Sequence, residues 1–201
     1  NISERLGVEQ TTAILNSYLG AMGEVLIDYR AFNKFMGDGI FAFFNAPIWP
    51  VEDHARTGCE AALATVTKLD ALKKRVGSEF GPELMGLWMR IGLHCGPVFV
   101  GYFGSENQTD YTCIGDTVNL AARLESANKA LGTQILVSGA CREAAGAGYA
   151  FRSLGALQVI GKAEAVPVYE LLGRAGEVGE DRMAYAQRFG DAVEQFQNQY
   201  W

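Results

Sequence analysis

The feature that most constrains the fold is a pair of short, aromatic-rich segments separated by a tight, glycine-containing turn. The segments, residues 31–35 and 40–44, flank Met36-Gly37-Asp38-Gly39, and this pattern predicts a β-hairpin. A second polar tip, at residues 105–108, also separates two strand-like segments. Strands joined by such short turns run antiparallel, which excludes a doubly wound parallel sheet.

Segments with helical periodicity alternate with these strands. Apolar residues within 7–29 recur at i, i+3 and i+4, which indicates an amphipathic helix, and Asp116 is the predicted N-cap of a later helix. This interleaving predicts an α+β fold with a mixed, largely antiparallel sheet covered by helices. The other predicted elements are helices at residues 54–76, 116–131 and 139–145 and strands at residues 87–94, 98–103, 109–114, 134–137, 149–160 and 166–172.

A glycine-rich segment at residues 173–181 is interpreted as a linker. An apolar stripe at helical spacing follows it. The stripe fits either a terminal helix that packs on its own domain or the first part of a further helical module. We therefore divide the chain into a domain of residues 1–172 and a linker with a C-terminal helix at residues 173–201. The stripe consists of Tyr185, Phe189, Val193, Phe196 and Tyr200.

Charge and apolar patterning exclude two classes of protein. The chain has 17 basic and 23 acidic residues and no basic run, which argues against a nucleic-acid partner because phosphate neutralisation needs clustered Lys and Arg. Its apolar stretches are well short of the roughly 20 residues that cross a bilayer, and no signal segment is recognisable. We expect a cytoplasmic protein, or the cytoplasmic domain of a membrane-anchored one. Scattered cysteines indicate ordinary reduced thiols rather than a disulfide framework or zinc site; they are Cys59, Cys95, Cys113 and Cys141.

Two groups of polar residues are candidates for ligand chemistry. Asp38, in its glycine turn, offers a hard-oxygen ligand for Mg²⁺, and Lys34, among aromatic residues, offers a donor to a polar ligand. A simple turn and a solvated edge lysine are the alternatives. Asn119 and Arg123 lie at i and i+4 of a predicted helix, so they share a face that suits a ribose and phosphates, unless that face is solvated and carries an Arg–Glu pair. The residues alone indicate a candidate phosphate and metal site.

Three separated motifs together resemble the catalytic domain of class III nucleotidyl cyclases, in the family's order over residues 1–172. The resemblance implies two Mg²⁺ or Mn²⁺ ions per active site, held by two aspartates. It also implies conversion of a nucleoside triphosphate into a 3′,5′-cyclic nucleotide and pyrophosphate by attack of the ribose 3′-hydroxyl. The motifs are Lys34-Phe-Met-Gly-Asp38-Gly, Arg90-Ile-Gly-Leu-His-Cys-Gly96 and Asp110-Tyr-Thr-Cys-Ile-Gly-Asp-Thr-Val-Asn-Leu-Ala-Ala-Arg123-Leu-Glu-Ser126.

The resemblance also implies a role for each candidate residue. Asp38 matches the second metal-binding aspartate, Asn119 the asparagine that orients the ribose, and Arg123 the arginine that stabilises charge on the phosphates. Lys34 matches the base-recognition position, and Thr112 matches its partner position. Because lysine can donate to adenine N1, whereas guanine N1–H is itself a donor, we expect ATP as substrate and an adenylyl cyclase. A guanylyl cyclase and a non-catalytic nucleotide-binding or dimerisation domain of the same fold are the alternatives.

In the family the active sites lie at a head-to-tail dimer interface, which implies a homodimer with Asp38 from one protomer and the base, ribose and phosphate residues from its partner. The hairpin at residues 98–114 resembles the family's dimerisation arm, and we expect a regulatory sensor domain in the parent chain. Two departures from the family pattern stand out. The first metal aspartate is not in this sequence, and we expect its strand to precede Asn1. Ile160-Gly161-Lys162 stands where the family often has Lys-Gly-Lys, so Lys162 either contacts the terminal phosphate or is solvated.

Overall fold

The first structural unit, Asn1–Met89, combines two long helices with a hairpin. The computed structural model describes residues 2–80, 86–158 and 165–198 of the chain. Helix α1 is interrupted at Gly7, where a φ of 72° and a ψ of 170° lie outside the helical range. The elements are α1 (Ile2–Asp28), β1 (Phe32–Met36), β2 (Gly39–Phe43) and α2 (His54–Phe80). The two helices pack together through buried side chains that recur at helical spacing, among them Ile14, Met22, Val25, Cys59, Ala62 and Leu69.

Strands β1 and β2 form the predicted hairpin, with each strand shifted by one residue from its predicted bounds. Phe32 pairs with Phe43 and Met36 pairs with Gly39, so residues 37 and 38 form a two-residue turn. Gly37 has a φ of 66°, a conformation that glycine adopts without strain and that short hairpin turns require. The turn is therefore determined locally by the sequence.

The second unit, Arg90–Trp201, is built on a four-stranded mixed sheet. Its elements are β3 (Ile91–Leu93), β4 (Phe99–Ser105), β5 (Gln108–Ile114), α3 (Asp116–Leu131), β6 (Ile135–Ser138), α4 (Gly139–Ala145), β7 (Tyr149–Leu157), β8 (Val166–Arg174) and α5 (Glu180–Gln197). The sheet order is β3-β6-β8-β7; β3 and β6 are parallel and the other neighbours antiparallel. The α+β class predicted from the sequence is confirmed.

Helix α3 covers one part of this sheet with an apolar stripe. Leu120 and Leu124 are 3% and 1% exposed, and they form a buried cluster with Leu136 of β6 and Val168 of β8. Burial of such a side chain contributes roughly 1.5–3 kcal/mol. The helix comes very close to β3 at Gly92, where a Cβ atom would collide with the α3 backbone. Glycine at this position therefore permits the approach that seats α3.

Strands β4 and β5 form a separate two-stranded arm. Ser105 pairs with Gln108 at its tip, and the register continues to Phe99 and Ile114 at its base. Phe99 is 76% exposed and pairs with Ile114, which is also exposed; Tyr102, on the opposite face of the ribbon, is 75% exposed. Large apolar side chains concentrated on an exposed ribbon are typical of interaction surfaces.

Three local predictions need correction. Asp116 is not the N-cap of α3: Gly115 is, because its carbonyl accepts the first helical hydrogen bond, from Val118 N–H, and its φ of 151° is a conformation that suits glycine. The strand predicted at residues 87–94 is reduced to β3, the part that pairs with β6. The linker is also shorter than predicted, because β8 extends to Arg174 and α5 begins at Glu180.

Helix α5 packs against β7 within the second unit. The Arg152 guanidinium lies 4.9 Å from the ring centroid of Phe189 and 5.6 Å from that of Tyr185, and it forms a 2.7 Å ion pair with Glu170. These contacts favour the terminal-helix interpretation of the apolar stripe. Within the described residues, no helix has the length and apolarity of a membrane span.

Candidate active site

The first group of candidate residues lies on the β1–β2 hairpin. Lys34 is the central residue of β1, pairs with Phe41 and is half-buried. Asp38 is the second residue of the turn and is exposed. A Cβ atom at the neighbouring Gly37 would meet nothing within 4 Å, so the turn itself is not covered by other residues. The hairpin thus presents an accessible carboxylate at its tip and an amine along its strand.

Tyr18 of α1 is a neighbour of Asp38 that the sequence analysis missed. Burial raises the pKa of Tyr18 above its ordinary value, and the Asp38 carboxylate raises this pKa further. Tyr18 therefore keeps its proton at neutral pH, and its hydroxyl remains a hydrogen-bond donor. Helical periodicity assigns Tyr18 only to the apolar stripe of α1, because its approach to Asp38 depends on how the hairpin packs on the helix.

The second group of candidates lies in the second unit, where β5 leads into α3. Thr112 is half-buried on β5 and pairs with Gly101 of β4. A Cβ atom at Gly101 would meet nothing within 4 Å, so the arm leaves room beside the threonine hydroxyl. A hydroxyl can both donate and accept, which suits recognition of a polar base edge.

The exposed face of α3 carries Asn119 and Arg123, one helical turn apart. Asn119 is exposed and Arg123 is half-buried. Among the residues that the structure describes, neither side chain has a hydrogen-bond or ion-pair partner. Glu125, the glutamate nearest to Arg123 in the sequence, contacts Arg90 at 3.1 Å. A guanidinium without a protein carboxylate keeps its planar fork of donors for phosphate oxygens.

Asp38 is the candidate metal ligand, and its chemistry fits a hard divalent cation. Mg²⁺ is usually held by one or two carboxylates, with waters and substrate phosphates completing its shell. Over the described ranges no group of three or more His, Cys, Asp or Glu side chains could hold a metal. An ion shared between Asp38 and a nucleotide fits this donor set, whereas an all-protein cage does not. Ile160 and Lys162 lie outside the described residues.

Comparison with known proteins identifies the class to which this fold and these residues belong. The chain matches the family described as "Adenylate and Guanylate cyclase catalytic domain" over residues 2–173, and it belongs to that family. It is a nucleotidyl cyclase domain of class III, a class that generally uses divalent metal ions.

Three similar proteins show the range of base specificity in this family. Adenylate cyclase 1 of Rhizobium meliloti (strain 1021) is 36% identical over 173 residues, which are 86% of this chain and 25% of that protein, so the chain spans a quarter of its length. The crystal structure of the guanylyl cyclase Cya2 has a TM-score of 0.75 at 30% identity, covering 88% of this chain and 87% of that one. The adenylyl cyclase CyaB from P. aeruginosa has a TM-score of 0.74 at 28% identity, covering 88% and 89%. Both base specificities occur among these relatives.

Proposed function

We propose that this chain is the catalytic domain of an adenylyl cyclase, which converts ATP into 3′,5′-cyclic AMP and pyrophosphate. The observation that carries the choice of base is Lys34, a half-buried amine on β1 at the motif position where the family recognises the base. An ammonium group donates hydrogen bonds and accepts none, so it suits N1 of adenine, an acceptor, rather than N1–H of guanine. The relative from Rhizobium, named an adenylate cyclase, supports the same choice.

The other candidate residues have complementary roles in this reaction. Thr112 accepts from or donates to the base edge, and Asn119 orients the ribose. Arg123 donates to the phosphate oxygens, where negative charge develops as pyrophosphate leaves. Two divalent cations, when bound, would activate the 3′-hydroxyl and neutralise charge on the triphosphate, and Asp38 would be one of their ligands. The shared α3 face sets the spacing between the sugar-binding and phosphate-binding groups.

We further propose that two copies of the chain form the active sites together. Each site would combine Asp38 of one protomer with Lys34, Thr112, Asn119 and Arg123 of its partner, as the resemblance to the family implies. The exposed apolar side chains of the β4–β5 arm support an interface between copies. One hairpin would then contribute to two sites, with its tip in one and its strand in the other.

The domain boundaries and the context of the chain are part of this proposal. Residues 1–172 would be the catalytic domain and residues 173–201 a linker and helix. In the whole protein, a cytoplasmic location would supply ATP, and a sensor domain would regulate turnover. Lys162 is a further candidate for contact with the terminal phosphate; if it makes this contact, Lys162→Ala raises the KM for ATP.

The test of the base assignment is a cyclase assay of the whole natural protein with Mn²⁺ and either ATP or GTP. We expect cyclic AMP as the main product. Lys34→Glu should shift preference away from ATP, because a carboxylate accepts from guanine N1–H and repels adenine N1. Lys74→Glu makes the same charge change on an exposed position of α2 and should keep the original preference. Cyclic GMP as the main product of the unmodified protein would refute the assignment.

A non-catalytic nucleotide-binding domain is the second candidate function. It is favoured by one observation: in the described part of the chain, Asp38 belongs to no metal-binding cluster. Against it stands the retention in one chain of the residues that match the family's other site positions, which are Lys34, Asp38, Thr112, Asn119 and Arg123. Calorimetry with ATP and Mg²⁺ measures nucleotide binding, and it is combined with the cyclase assay and with ultracentrifugation. Binding and dimerisation without any cyclic product would favour the non-catalytic domain.

A further inference from the structure

The carboxyl ends of β3 and β6 bring two cysteines together. These strands are parallel and in register, Leu93 opposite Val137, so the residues that follow them emerge at the same edge of the sheet. Cys95 follows β3, and Cys141 lies in α4, which follows β6. Their Sγ atoms are 2.8 Å apart. A disulfide bond is about 2.05 Å long, so the two sulfur atoms need less than an ångström of further approach.

The surroundings of the pair are asymmetric. Cys95 is partly exposed, whereas Cys141 is 3% exposed. Cys141 is also held in place, because its backbone N–H donates to Ser138 Oγ at 3.2 Å, and this oxygen lies 2.7 Å from His94 Nδ1. A small oxidant therefore has access to Cys95 Sγ, whereas Cys141 Sγ is buried and lies 2.8 Å from it.

The chemistry of Cys95 agrees with this geometry. A hydrogen bond with the Cys141 thiol lowers the pKa of Cys95 from its ordinary value, and burial opposes this change. The thiolate is the nucleophilic form of cysteine. Partial exposure and a lowered pKa therefore both favour Cys95 over the buried Cys141 as the thiol that an oxidant meets first.

We propose that Cys95 and Cys141 form a reversible disulfide when the protein meets a peroxide. The Cys95 thiolate attacks one oxygen of hydrogen peroxide, the O–O bond breaks, and the products are Cys95 sulfenic acid and hydroxide. Cys141 then attacks the Cys95 sulfur, an S–S bond forms, the S–O bond breaks, and oxygen leaves as water with the thiol proton. In sum, two thiols and one peroxide give one disulfide and two waters. A thiol reductant reverses the change by exchange.

The disulfide would tie α4 to the loop that leads from β3 to the arm. This loop runs from the end of β3 at Leu93 to the start of β4 at Phe99. Near β4 it is bound to α3, because Thr117 Oγ1 donates to the Pro97 carbonyl at 2.7 Å. Gly96 also lies against Thr117, too close for a Cβ atom. The cross-link would join residues 46 positions apart, and a cross-link stabilises a fold by restricting the unfolded chain. Oxidation should therefore raise the denaturant midpoint of this unit.

The test is mass spectrometry of the whole natural protein after treatment with hydrogen peroxide and alkylation of the remaining thiols. Trypsin releases residues 91–123, which contain Cys95 and Cys113, and residues 130–142, which contain Cys141. Chymotrypsin then cuts at Phe99, Tyr102 or Phe103 and separates Cys95 from Cys113. We expect a peptide pair joined through Cys95 and Cys141, lighter by two hydrogens than the separate peptides, which dithiothreitol releases.

Matched variants exclude trivial explanations. Cys95→Ser and Cys141→Ser should each abolish the cross-link and the rise in the denaturant midpoint, and circular dichroism verifies that they fold. Cys59→Ala removes a buried thiol of the first unit and should leave the cross-link intact. Oxidation of Cys95 to sulfinic acid without a cross-link, a disulfide to any other cysteine, or failure of the folded protein to react would each overturn the proposal. None of these readouts depends on cyclase activity.

Discussion

At the scale of single residues, Asn119 and Arg123 show how α3 separates ligand chemistry from folding. Their side chains have no partner among the described residues, whereas Leu120 and Leu124, each one position further on, belong to the buried cluster. The helical period of 3.6 residues produces this separation. Truncating either polar side chain therefore opens no cavity in the core, and under the proposed function it removes a contact to the nucleotide.

Arg123→Ala should lower the kcat for cyclic AMP formation about 10²–10³-fold, because a donor aimed at developing charge is lost. The thermal unfolding midpoint should stay close to that of the unmodified protein. Lys129→Ala removes an exposed cation from the last turn of the same helix and should turn over normally. If Arg123→Ala retains full kcat, the arginine is a solvated surface residue.

Cys95 provides a prediction about pH at the same scale. An ordinary cysteine has a pKa of about 8.5. Because the pKa of Cys95 is lowered, its alkylation by iodoacetamide should reach half of the maximal rate at a lower pH than that of an ordinary cysteine. In Cys141→Ala this midpoint should move upwards, since the hydrogen bond with the Cys141 thiol is removed while burial remains. The lowered pKa of Cys95 also adds to the free energy of unfolding at pH values above the pKa of the unfolded state. This added stability is lost as the pH falls through the pKa of the folded state. An unchanged alkylation profile in Cys141→Ala would show that the sulfur contact has no influence on the pKa of Cys95. His94, the preceding residue, is a further titratable group beside Cys95 in the sequence.

At the scale of elements, Arg152 joins β7, β8 and α5. Its guanidinium pairs with Glu170 of β8, and both side chains are largely buried, 14% and 11% exposed. It also lies over the rings of Tyr185 and Phe189 on α5. An ion pair is valuable in such a setting mainly because either charge would be costly there alone.

Arg152→Ala should lower the free energy of unfolding by about 3–5 kcal/mol, since Glu170 would remain buried without its partner. Chemical denaturation followed by circular dichroism measures the change. Arg174→Ala is the control, because its 3.4 Å pair with Glu177 is exposed and such pairs contribute about 0–1 kcal/mol. Equal losses in both variants would contradict the assigned role of burial.

At the scale of the whole molecule, the β4–β5 arm exposes large apolar side chains that an interface would cover. Phe99 and Tyr102 are both about three-quarters exposed on a ribbon of two strands, and so short a sheet is marginally stable by itself. Association with a second copy would bury these side chains. Activity should therefore depend on protein concentration.

Tyr102→Asp should weaken self-association and lower specific activity together, because a buried interface would acquire an unpaired charge. Analytical ultracentrifugation and a cyclase assay over the same concentration series measure both effects. Met183→Asp, at an exposed position of α5, controls for the change from apolar to acidic and should alter neither quantity. Full specific activity from a protein that stays monomeric at every concentration would refute the shared-site proposal.

Much of the local structure could be predicted from the sequence. The short helix α4 has the predicted bounds, and the hairpin is shifted by one residue, because turn glycines and helical periodicity act within a few positions. The cap of α3 was predicted wrongly, since Asp116 is a favourable cap by type while the backbone at Gly115 decides the boundary. The roles assigned to Lys34 and Thr112 stay predictions, because they came from motif resemblance alone.

The amino-acid order by itself determined the α+β class and most of the helices and strands, since these follow from patterns within short stretches of chain. Tertiary structure alone decided which distant groups meet. Asp38 raises the pKa of Tyr18 because the β1–β2 hairpin packs against α1. Cys95 meets Cys141, 46 positions away, because β3 and β6 pair in parallel. Strand pairing over such distances depends on packing of the whole unit, which no local pattern specifies.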